Sequence, residues 1–299
     1  MSRVLITGAD GFTGRYLARA LHEAGHEVHG LVKRTSRDGV LSVSACHVAD
    51  LSDGQALADV VSRVQPDKVA HLAAIAFVGH GDATAMYNTN LVGTRNLLEV
   101  LAASKSPLTT VLLASSANIY GNAVMGCLDE QTPPAPANDY AVSKLAMEYM
   151  ASLYAQRLPL VVVRPFNYTG IGQADTFLIP KIVLSVRRLA KVLELGKLDV
   201  ARDFSDVRSV VQIYERLLGT PEAVGQTFNV CSGTAWTLTE VIQMVKEISG
   251  HDFEVQMNPA FVRPNEVKTL LGNRSRLDAV VGTVAEIPLR DTLRWMLEA

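Results

Sequence analysis

The chain has 299 residues, 48% of them hydrophobic, and can therefore bury one large core or two smaller ones. Its formal net charge of -2 gives no electrostatic reason to expect a nucleic acid or an anionic membrane as a partner. No apolar run approaches the roughly 18 residues of a membrane span, and the first glycine loop comes too early for a signal peptide.

The cysteines Cys46, Cys127 and Cys231 are odd in number and widely spaced. They form neither a disulfide framework nor a metal-ligand pattern, so we expect no metal site and a reducing compartment. The sequence therefore predicts a cytoplasmic protein.

The start of the chain predicts a strand, a glycine loop, a helix and a second strand. Residues 3–7 and 27–32 are apolar runs typical of strands buried in a parallel sheet. The first glycine of the loop allows a tight turn, the second lets the backbone approach a pyrophosphate, and the third lets the helix lie close to the strand. The helix N-terminus offers N–H groups to phosphates, so the pattern favours a dinucleotide site over a ligand-free turn. The loop residues assigned to the cofactor are Gly8, Gly11, Phe12, Thr13 and Gly14.

The spacing G-x-x-G-x-x-G resembles that of the short-chain dehydrogenase/reductase superfamily, particularly its extended, sugar-nucleotide-modifying branch. The resemblance covers essentially the whole chain and implies an α/β fold: a doubly wound Rossmann-type parallel sheet with a smaller α+β substrate-binding domain. It implies an NADP-binding domain over residues 1–166, with a return segment of about 204–233. Residues 167–203 and 234–299 would form the sugar-nucleotide-binding domain, in which residues 197–201 predict a strand.

The loop after the second predicted strand favours NADP as the cofactor. An NAD-preferring site usually has an Asp or Glu there to bind the adenosine ribose, whereas this chain has Lys33 and Arg34 followed by two hydroxyl residues. Two cations and two hydroxyls suit a 2′-phosphate. NAD is the alternative cofactor, and an ordinary polar loop is the alternative interpretation.

Three further segments match cofactor-binding motifs of the family. Asp50 stands where the family directs an acidic residue towards the adenine; the cap of a helix over residues 52–64 is the alternative interpretation. A small-residue segment after the fourth predicted strand would let the cofactor lie on the backbone. Asn90 belongs to the family's N-x-x-G-T motif and would tie a long helix, residues 84–104, to neighbouring backbone. These segments contribute Asp50, Leu51, Leu72, Ala73, Ala74 and Asn90.

The expected catalytic residues are a serine, a tyrosine and a lysine. Tyr140 and Lys144 lie one turn apart on one face of a predicted helix that Asn138 can cap, although such a pair alone usually indicates a solvated face. Ser116 follows a buried strand in S-S-A-N-I-Y-G, which resembles the family's S-S-x-x-V-Y-G motif; a hydroxyl that satisfies backbone is the alternative. The resemblance implies that Ser116 orients the substrate oxygen and Tyr140 gives or takes the proton. Lys144 would hold the nicotinamide ribose and, with an oxidised nicotinamide, lower the pKa of the tyrosine.

The second half of the chain carries motifs through which the family binds a nucleotide sugar. R-P-F-N contains Asn167, and R-D-F-S-D-V begins with Arg202. Lys181 would meet the diphosphate, with a solvated helix face as the alternative. R-P-N-E-V resembles a motif of enzymes for GDP-linked deoxysugars, in which Arg263 faces the diphosphate and Glu266 the ribose; a surface ion pair is the alternative. The expected substrate-binding residues are Ser115, Ser116, Asn118, Asn167, Lys181, Arg202, Arg263 and Glu266.

The residues that follow the serine favour one chemistry. A 4,6-dehydratase of this family carries an acidic residue there, whereas this chain has Ala117 and Asn118. Cys127 has no obvious His partner for the acid–base pair of an epimerase-reductase. We therefore expect NADPH-dependent reduction of the C4 ketone of a GDP-4-keto-6-deoxyhexose, which gives GDP-D-rhamnose or GDP-6-deoxy-D-talose.

Two other functions stay open. One is an NAD-dependent nucleotide-sugar 4-epimerase, and the other is a non-catalytic NADP-binding regulator, although regulators of this fold generally lack the tyrosine–lysine pair. The resemblance also implies a homodimer in which the helices predicted at residues 84–104 and 138–156 form a four-helix bundle across a two-fold axis.

Overall fold

The computed structural model describes residues 1–34, 41–76, 81–121, 126–261 and 268–299. The strands are β1 Arg3–Thr7, β2 Glu27–Val32, β3 Ala45–Val48, β4 Lys68–His71, β5 Thr110–Ala114, β6 Cys127–Leu128, β7 Leu160–Pro165, β8 Asn167–Thr169, β9 Val192–Leu195, β10 Ala201–Asp206, β11 Thr227–Val230, β12 Ala235–Thr237, β13 Glu254–Met257 and β14 Thr269–Gly272. The α-helices are α1 Phe12–Glu23, α2 Gly54–Val64, α3 Ala83–Tyr87, α4 Thr94–Ala103, α5 Asp139–Ser152, α6 Leu178–Arg187, α7 Val207–Gly219, α8 Leu238–Ser249, α9 Ser275–Val281 and α10 Leu289–Glu298. None of the helices in these ranges is long and apolar enough to span a membrane.

Among the described residues, seven strands form a parallel sheet in the order β11-β7-β5-β4-β1-β2-β3. Side chains alternate across it: Val4 and Ile6 of β1 pack with α1 and α7 on one face, and Leu5 packs with α2, α4 and α5 on the other. This confirms the doubly wound α/β fold. The strand order reverses between β1 and β4, and open α/β sheets bind ligands at such a point, beyond the carboxyl ends of the strands.

A smaller sheet has the order β12-β10-β14-β6, with β8 paired to β10 as well. It mixes an antiparallel pair, β10 with β12, and a parallel pair, β10 with β14. Helices α6, α8 and α10 share a separate apolar core with Phe204 of β10. The smaller unit is therefore of the α+β type, as expected.

The strand predicted at residues 197–201 is wrong, because the chain forms β9 before it and β10 from Ala201 to Asp206. The β10 residue Asp203 is fully buried and accepts hydrogen bonds from the Ser232 N–H (2.8 Å) and hydroxyl (2.7 Å). A buried polar residue with partners elsewhere in the chain does not show in a hydrophobic pattern, so this strand was missed.

The division into a cofactor domain and a substrate domain stays a prediction. Two elements of the predicted return segment, about residues 204–233, associate with the large sheet and its helices. β11 joins the large sheet, and α7 packs against α1. Two elements depart from the predicted boundaries. β6, from the first 166 residues, pairs with β14 of the smaller sheet, and α9 packs against α7 and β11.

The long helix predicted over residues 84–104 is three consecutive segments. A π-helical segment, Asn88–Gly93, lies between α3 and α4. Such segments are rare and frequently occur at functional sites. This one contains Asn90, which is buried and takes part in the candidate site.

Candidate active site

In the glycine loop between β1 and α1, there is no room for a side chain at Gly8 or at Gly14. A Cβ on Gly14 would lie 2.1 Å from the Gly8 carbonyl oxygen, and a Cβ on Gly8 would lie 2.8 Å from the Ala73 Cα. Gly8 has a φ of +69°, and its carbonyl accepts the Gly11 N–H at 3.0 Å. Within the described residues no side chain caps the start of α1, which suits phosphate oxygens as partners of its N–H groups. The loop therefore fits the pyrophosphate of a dinucleotide.

Phe12 and Thr13, which are expected to bind the cofactor, contact Tyr168 of β8. The Phe12 ring is stacked on Tyr168 of β8 with centroids 6.0 Å apart, and the Thr13 hydroxyl hydrogen-bonds the Tyr168 hydroxyl at 2.7 Å. These contacts join the glycine loop to the strand that carries Asn167. Whether the two residues also touch the cofactor stays a prediction.

Lys33 and Asp50 form an ion pair at 3.0 Å. The Ser52 N–H and then Lys33 hold the pKa of Asp50 down at about 2. Asp50 is not the cap of α2, because Asp53 accepts the Ala56 N–H at 2.9 Å in that role. The helix-cap interpretation of Asp50 is therefore wrong.

Arg34 is exposed at the end of this segment, and it makes no hydrogen bond or ion pair with the part of the chain that the structure describes. Lys33 is neutralised by its carboxylate partner, so Arg34 is the better placed of the two cations for a 2′-phosphate. The two hydroxyl residues that follow, Thr35 and Ser36, lie outside the described residues.

The segment after β4 lies against the glycine loop. The Leu72 N–H donates to the Thr7 carbonyl at 3.2 Å, and the Ala73 N–H donates to the Thr7 hydroxyl at 3.2 Å. Ala74 follows them and is half-buried. Leu51 is buried against the π-helical segment, because a Cβ added to Gly93 would lie 2.8 Å from the Leu51 Cβ.

Asn90 ties three elements together, in the structural role expected for it. Its side-chain oxygen accepts the Ile75 N–H at 2.9 Å, and its amide nitrogen donates to the Ile75 carbonyl at 3.1 Å. The same nitrogen donates to the Ser143 hydroxyl of α5 at 3.0 Å. Through Asn90, the π-helical segment fixes the position of α5, which carries Tyr140, relative to the segment that follows β4.

His71 was missed by the sequence argument, although it stands in the matched small-residue motif. Its Nδ1 is 2.7 Å from the Thr7 hydroxyl and its Nε2 is 2.8 Å from the Thr94 hydroxyl. Burial, together with the nearby Lys144 charge, lowers the pKa of His71 to about 3, so the ring is neutral. The available signal was a polar residue at the end of the strand, directly before the small-residue segment.

The three expected catalytic residues lie together at the end of β5. Asn138 caps α5 through the Ala141 N–H at 2.9 Å, as predicted, and both Tyr140 and Lys144 are buried on this helix. The Ser116 side chain lies near enough to the Tyr140 hydroxyl to lower its pKa. The Lys144 ammonium donates to the Ala114 carbonyl at 2.7 Å. The catalytic roles stay predictions, but the geometry that they require is present.

The neighbouring Ser115 is also buried, and its hydroxyl has no hydrogen-bond partner among the described residues. An unsatisfied buried hydroxyl costs about 1–3 kcal/mol, so a bound ligand is a plausible partner for it. Ser115 therefore fits its expected place in the substrate site.

The lowering of the Tyr140 pKa that Lys144 and an oxidised nicotinamide are expected to cause stays a prediction. Burial raises the pKa of Tyr140 to about 12, against the smaller opposite effect of the Ser116 side chain. The charged form loses its hydration when buried, and the Lys144 ammonium is turned towards the Ala114 carbonyl. Burial also lowers the pKa of Lys144 to about 8.

The residues that are expected to bind the substrate have different partners in the structure. Asn118 donates to Ser116, Asn167 donates to the Asp203 carbonyl at 3.4 Å, and Arg202 donates to the Lys268 carbonyl at 3.1 Å. Lys181 is not simply solvated, since its ammonium lies 3.5 Å from the Phe261 ring centroid and partial burial lowers its pKa. Arg263 and Glu266 lie outside the described residues.

A second group of side chains fixes the position of α5. The sequence analysis did not identify these residues. The Arg164 guanidinium pairs with both carboxylate oxygens of Glu148 on this helix, at 3.0 and 2.7 Å. Arg164 also donates to the Tyr120 hydroxyl at 2.9 Å, and Tyr120 donates to Asn229 at 2.7 Å. Since Tyr120 belongs to the same turn as Ser116, the network fixes the serine and the tyrosine relative to each other.

A glycine cradle at the switch point of a doubly wound sheet, with a buried serine, tyrosine and lysine beside it, defines an NAD(P)-dependent enzyme of the extended short-chain dehydrogenase/reductase class. The chain belongs to the GDP-mannose 4,6 dehydratase family, whose sequence model matches residues 5–296.

Two relatives share 34% identity with the chain. One is a GDP-6-deoxy-D-talose 4-dehydrogenase of Aggregatibacter actinomycetemcomitans, similar over 94% of this chain and 91% of that protein. The other is a GDP-6-deoxy-D-mannose reductase of Pseudomonas aeruginosa, similar over 99% of this chain and 96% of that protein.

Two solved structures are similar over nearly the full length. A protein from Burkholderia cenocepacia J2315, provisionally named as an epimerase, has a TM-score of 0.93 at 48% identity and covers 99% of this chain and 97% of its own. RMD from Pseudomonas aeruginosa, solved in complex with NADPH, has a TM-score of 0.85 at 32% identity and covers 100% of this chain and 98% of its own.

Proposed function

We propose that the protein reduces the C4 ketone of a GDP-4-keto-6-deoxyhexose with NADPH, giving GDP-D-rhamnose or GDP-6-deoxy-D-talose. The observation that carries the proposal is the buried group Ser116, Tyr140 and Lys144, beside which positions 117 and 118 hold no carboxylate. The two relatives named for GDP-6-deoxy-D-talose and GDP-6-deoxy-D-mannose support the substrate class.

The residues of the site have distinct tasks in this reaction. The bound nicotinamide supplies the hydride that reduces C4. Tyr140 holds the proton that the C4 oxygen needs, and a pKa of about 12 keeps that proton in place at neutral pH until the oxygen gains negative charge. Ser116 steadies the same oxygen, and Lys144, fixed by the Ala114 carbonyl, has further N–H donors for the nicotinamide ribose.

NADP is the proposed cofactor, with the pyrophosphate held by the glycine loop and Arg34 facing the 2′-phosphate. The Pseudomonas aeruginosa neighbour in complex with NADPH supports this choice. We expect Arg34→Ala to weaken NADPH binding at least tenfold, about 1.4 kcal/mol, and to leave NADH binding nearly unchanged. Equal effects on both cofactors, measured by fluorescence titration, would reject the assignment.

A C4 epimerase is the second candidate, because the 48% identical structure is provisionally named as one. An epimerase begins by oxidation, for which Tyr140 must first be a base. Reduction instead begins with Tyr140 as the acid, in the protonated form that burial favours.

The test is to incubate the protein with GDP-4-keto-6-deoxy-D-mannose and NADPH, following NADPH absorbance and identifying the product. We expect NADPH oxidation in proportion to a GDP-6-deoxyhexose, and loss of about 10²–10⁴-fold in rate for Tyr140→Phe with NADPH binding intact. Inversion of a GDP- or UDP-hexose at C4 without NADPH oxidation would support the epimerase instead. Cofactor binding without turnover of either kind would support a regulator.

We also propose a homodimer in the cytoplasm. Exposed apolar side chains lie on the π-helical segment, on α5 and directly after it: Val92, Val142, Tyr149 and Leu153. Water-exposed groups of this kind on neighbouring helices mark interaction surfaces and suit the expected four-helix bundle. The free cysteines Cys46, Cys127 and Cys231 agree with a reducing compartment.

A further inference from the structure

His71, the last residue of β4, is buried and has a hydroxyl partner at each ring nitrogen. Its Nδ1 lies 2.7 Å from the Thr7 hydroxyl, and its Nε2 lies 2.8 Å from the Thr94 hydroxyl. The ring is neutral, because burial and the Lys144 charge lower its pKa to about 3. A neutral imidazole has one donor nitrogen and one acceptor nitrogen, so the two hydrogen bonds have opposite directions.

The other contact of Thr94 decides which nitrogen of His71 is the donor. The Thr94 hydroxyl oxygen also lies 2.7 Å from the Asn90 carbonyl oxygen. A carbonyl oxygen can only accept, so the single hydroxyl hydrogen of Thr94 points at Asn90. Thr94 can therefore only accept from His71, which must donate from Nε2. The Nδ1 atom is then the acceptor, and it receives the hydroxyl hydrogen of Thr7.

The acceptor nitrogen of His71 is connected to the glycine loop through Thr7. The Thr7 hydroxyl, whose hydrogen goes to Nδ1, accepts the Ala73 N–H at 3.2 Å. The Ala73 backbone lies directly against the glycine loop, since a Cβ added to Gly8 would be 2.8 Å from the Ala73 Cα. The Nδ1 acceptor therefore fixes the hydroxyl that holds the segment on which the glycine loop packs.

The donor nitrogen of His71 is connected to α5 through Thr94 and Asn90. The Asn90 side-chain amide donates to the Ser143 hydroxyl at 3.0 Å. That hydroxyl donates in turn to the Tyr140 carbonyl at 2.8 Å. Thr94, Asn90 and Ser143 are all buried. A continuous series of buried hydrogen bonds thus leads from the His71 ring to the backbone of Tyr140.

We propose that His71 is a positioning residue with two separate tasks, one for each ring nitrogen. Through Thr7, its Nδ1 acceptor fixes the segment beside the glycine loop, where the cofactor is expected to bind. Through Thr94, its Nε2–H donor fixes the π-helical segment and the backbone of Tyr140. The second task rests on the proposed reduction, in which Tyr140 supplies the proton. His71 itself acts on neither the reacting atoms nor the cofactor.

The two tasks can be separated, because an asparagine and a glutamine each replace one ring nitrogen. The asparagine amide reaches as far as Nδ1, and its oxygen can accept the Thr7 hydrogen, but it leaves Thr94 without a donor. The glutamine amide reaches as far as Nε2, and its nitrogen can donate to Thr94, but it leaves Thr7 without an acceptor. Each variant should therefore keep one task and lose the other.

The first experiment measures the NADPH dissociation constant by fluorescence titration, and kcat at saturating NADPH with the keto sugar. We expect His71→Gln to weaken NADPH binding about tenfold with kcat nearly unchanged. We expect His71→Asn to lower kcat about tenfold with NADPH binding nearly unchanged. The control is His22→Gln, which should match the wild type because His22 is exposed on α1. Losses of the same kind in both His71 variants, as a general loss of packing would give, or no loss in either, would overturn the proposal.

The second experiment tests the tautomer without cofactor or substrate. Nitrogen NMR of protein labelled at its histidine rings reports which ring nitrogen has a hydrogen, and the His71 signals are identified by their loss in His71→Gln. We expect a hydrogen on Nε2 alone, at neutral and at mildly acidic pH. A hydrogen on Nδ1, or a ring that titrates in mildly acidic solution, would contradict the proposed hydrogen bonds.

The outcomes separate the two proposals. If the wild type does not oxidise NADPH with the keto sugar, the proposed function fails, and NADPH binding and the tautomer still test His71. If the wild type turns over and the two variants are not split between binding and kcat, the inference about His71 fails alone. Should the His71 variants not fold, Thr7→Val removes the first connection and Thr94→Val the second. The same split is expected of this pair, and its absence would overturn the inference.

Discussion

At the scale of single residues, burial acts in opposite directions on the two ionisable side chains of the candidate site. It raises the pKa of Tyr140 to about 12 and lowers that of Lys144 to about 8, because in each case the charged form loses its hydration. Tyr140 is therefore a protonated donor throughout the physiological range. The charge of the site is set by Lys144, which titrates close to that range.

This gives a pH dependence with a definite sign. Lys144 is charged below a pKa of about 8 and neutral above it, so we expect kcat/KM for NADPH to fall as pH rises through about 8. Tyr140 stays protonated up to about 12 and adds no second decrease within the measurable range. The measurement is the initial rate at limiting NADPH over a pH series. A level profile up to the ordinary lysine pKa of 10.5 would contradict the assignment.

The sequence motifs were sufficient to predict which residues come together at the candidate site but not to establish their hydrogen bonds. Ser116, Tyr140 and Lys144 come together as the family resemblance implies, at a strand end and on one helix face. The neutral state of His71 depends on burial and on partners far away in the sequence, such as Thr94. Pair contacts of this kind do not appear in a local pattern.

At the scale of elements, the start of α1 packs closely against the glycine loop at Gly14. Gly14 lies inside the helix, where alanine is normally the more stable residue by about 0.5–1 kcal/mol. The space forbids it here, since a Cβ would lie 2.1 Å from the Gly8 oxygen and 2.8 Å from the Ala9 Cα. Local preference and close packing therefore disagree at this position.

We expect Gly14→Ala to open the loop and weaken NADPH binding at least tenfold, about 1.4 kcal/mol. Gly54→Ala is the matched control, because Gly54 also lies in the first turn of a helix and a Cβ there meets no atom within 4 Å. The control should bind NADPH normally and unfold at the same or a slightly higher temperature. Equal binding by both variants, measured by titration calorimetry, would show that the close packing of α1 is not needed.

The elements that could be predicted are those with an unbroken apolar pattern. β1 and β2 have the predicted bounds, residues 3–7 and 27–32. The π-helical segment Asn88–Gly93 could not be predicted, because its apolar positions read as an ordinary helix and its extra residue per turn is stabilised by the distant contacts of Asn90.

At the scale of the whole molecule, four of the exposed large apolar side chains lie on or directly after two neighbouring elements, the π-helical segment and α5. Leu153 and Tyr149 are 78% and 67% exposed at the end of α5, and Val92 is 45% exposed on the π-helical segment. Each large apolar side chain loses about 1.5–3 kcal/mol of favourable burial while it stays in water. A second copy of the chain on this surface would recover that free energy twice.

We expect Leu153→Asp to convert the dimer into a monomer, because a buried carboxylate on the two-fold interface would face its own copy. Met257→Asp is the control, since Met257 is 65% exposed but lies on β13, outside the proposed interface. Light scattering after size-exclusion chromatography measures the mass of each. A monomeric wild type, or a Leu153→Asp variant that stays dimeric, would refute the proposed interface.

The hydrogen bond between Thr13 and Tyr168 has a consequence for how two ligands influence each other. Tyr168 belongs to β8, which is paired with β10. The hydrogen bond therefore connects the glycine loop, which is expected to bind the cofactor, to the strands that are expected to bind the nucleotide sugar. We expect a ligand that displaces Thr13 to displace Tyr168 and its strand as well. By linkage the reverse effect has the same free energy, and the order in which cofactor and sugar arrive cannot change their combined affinity.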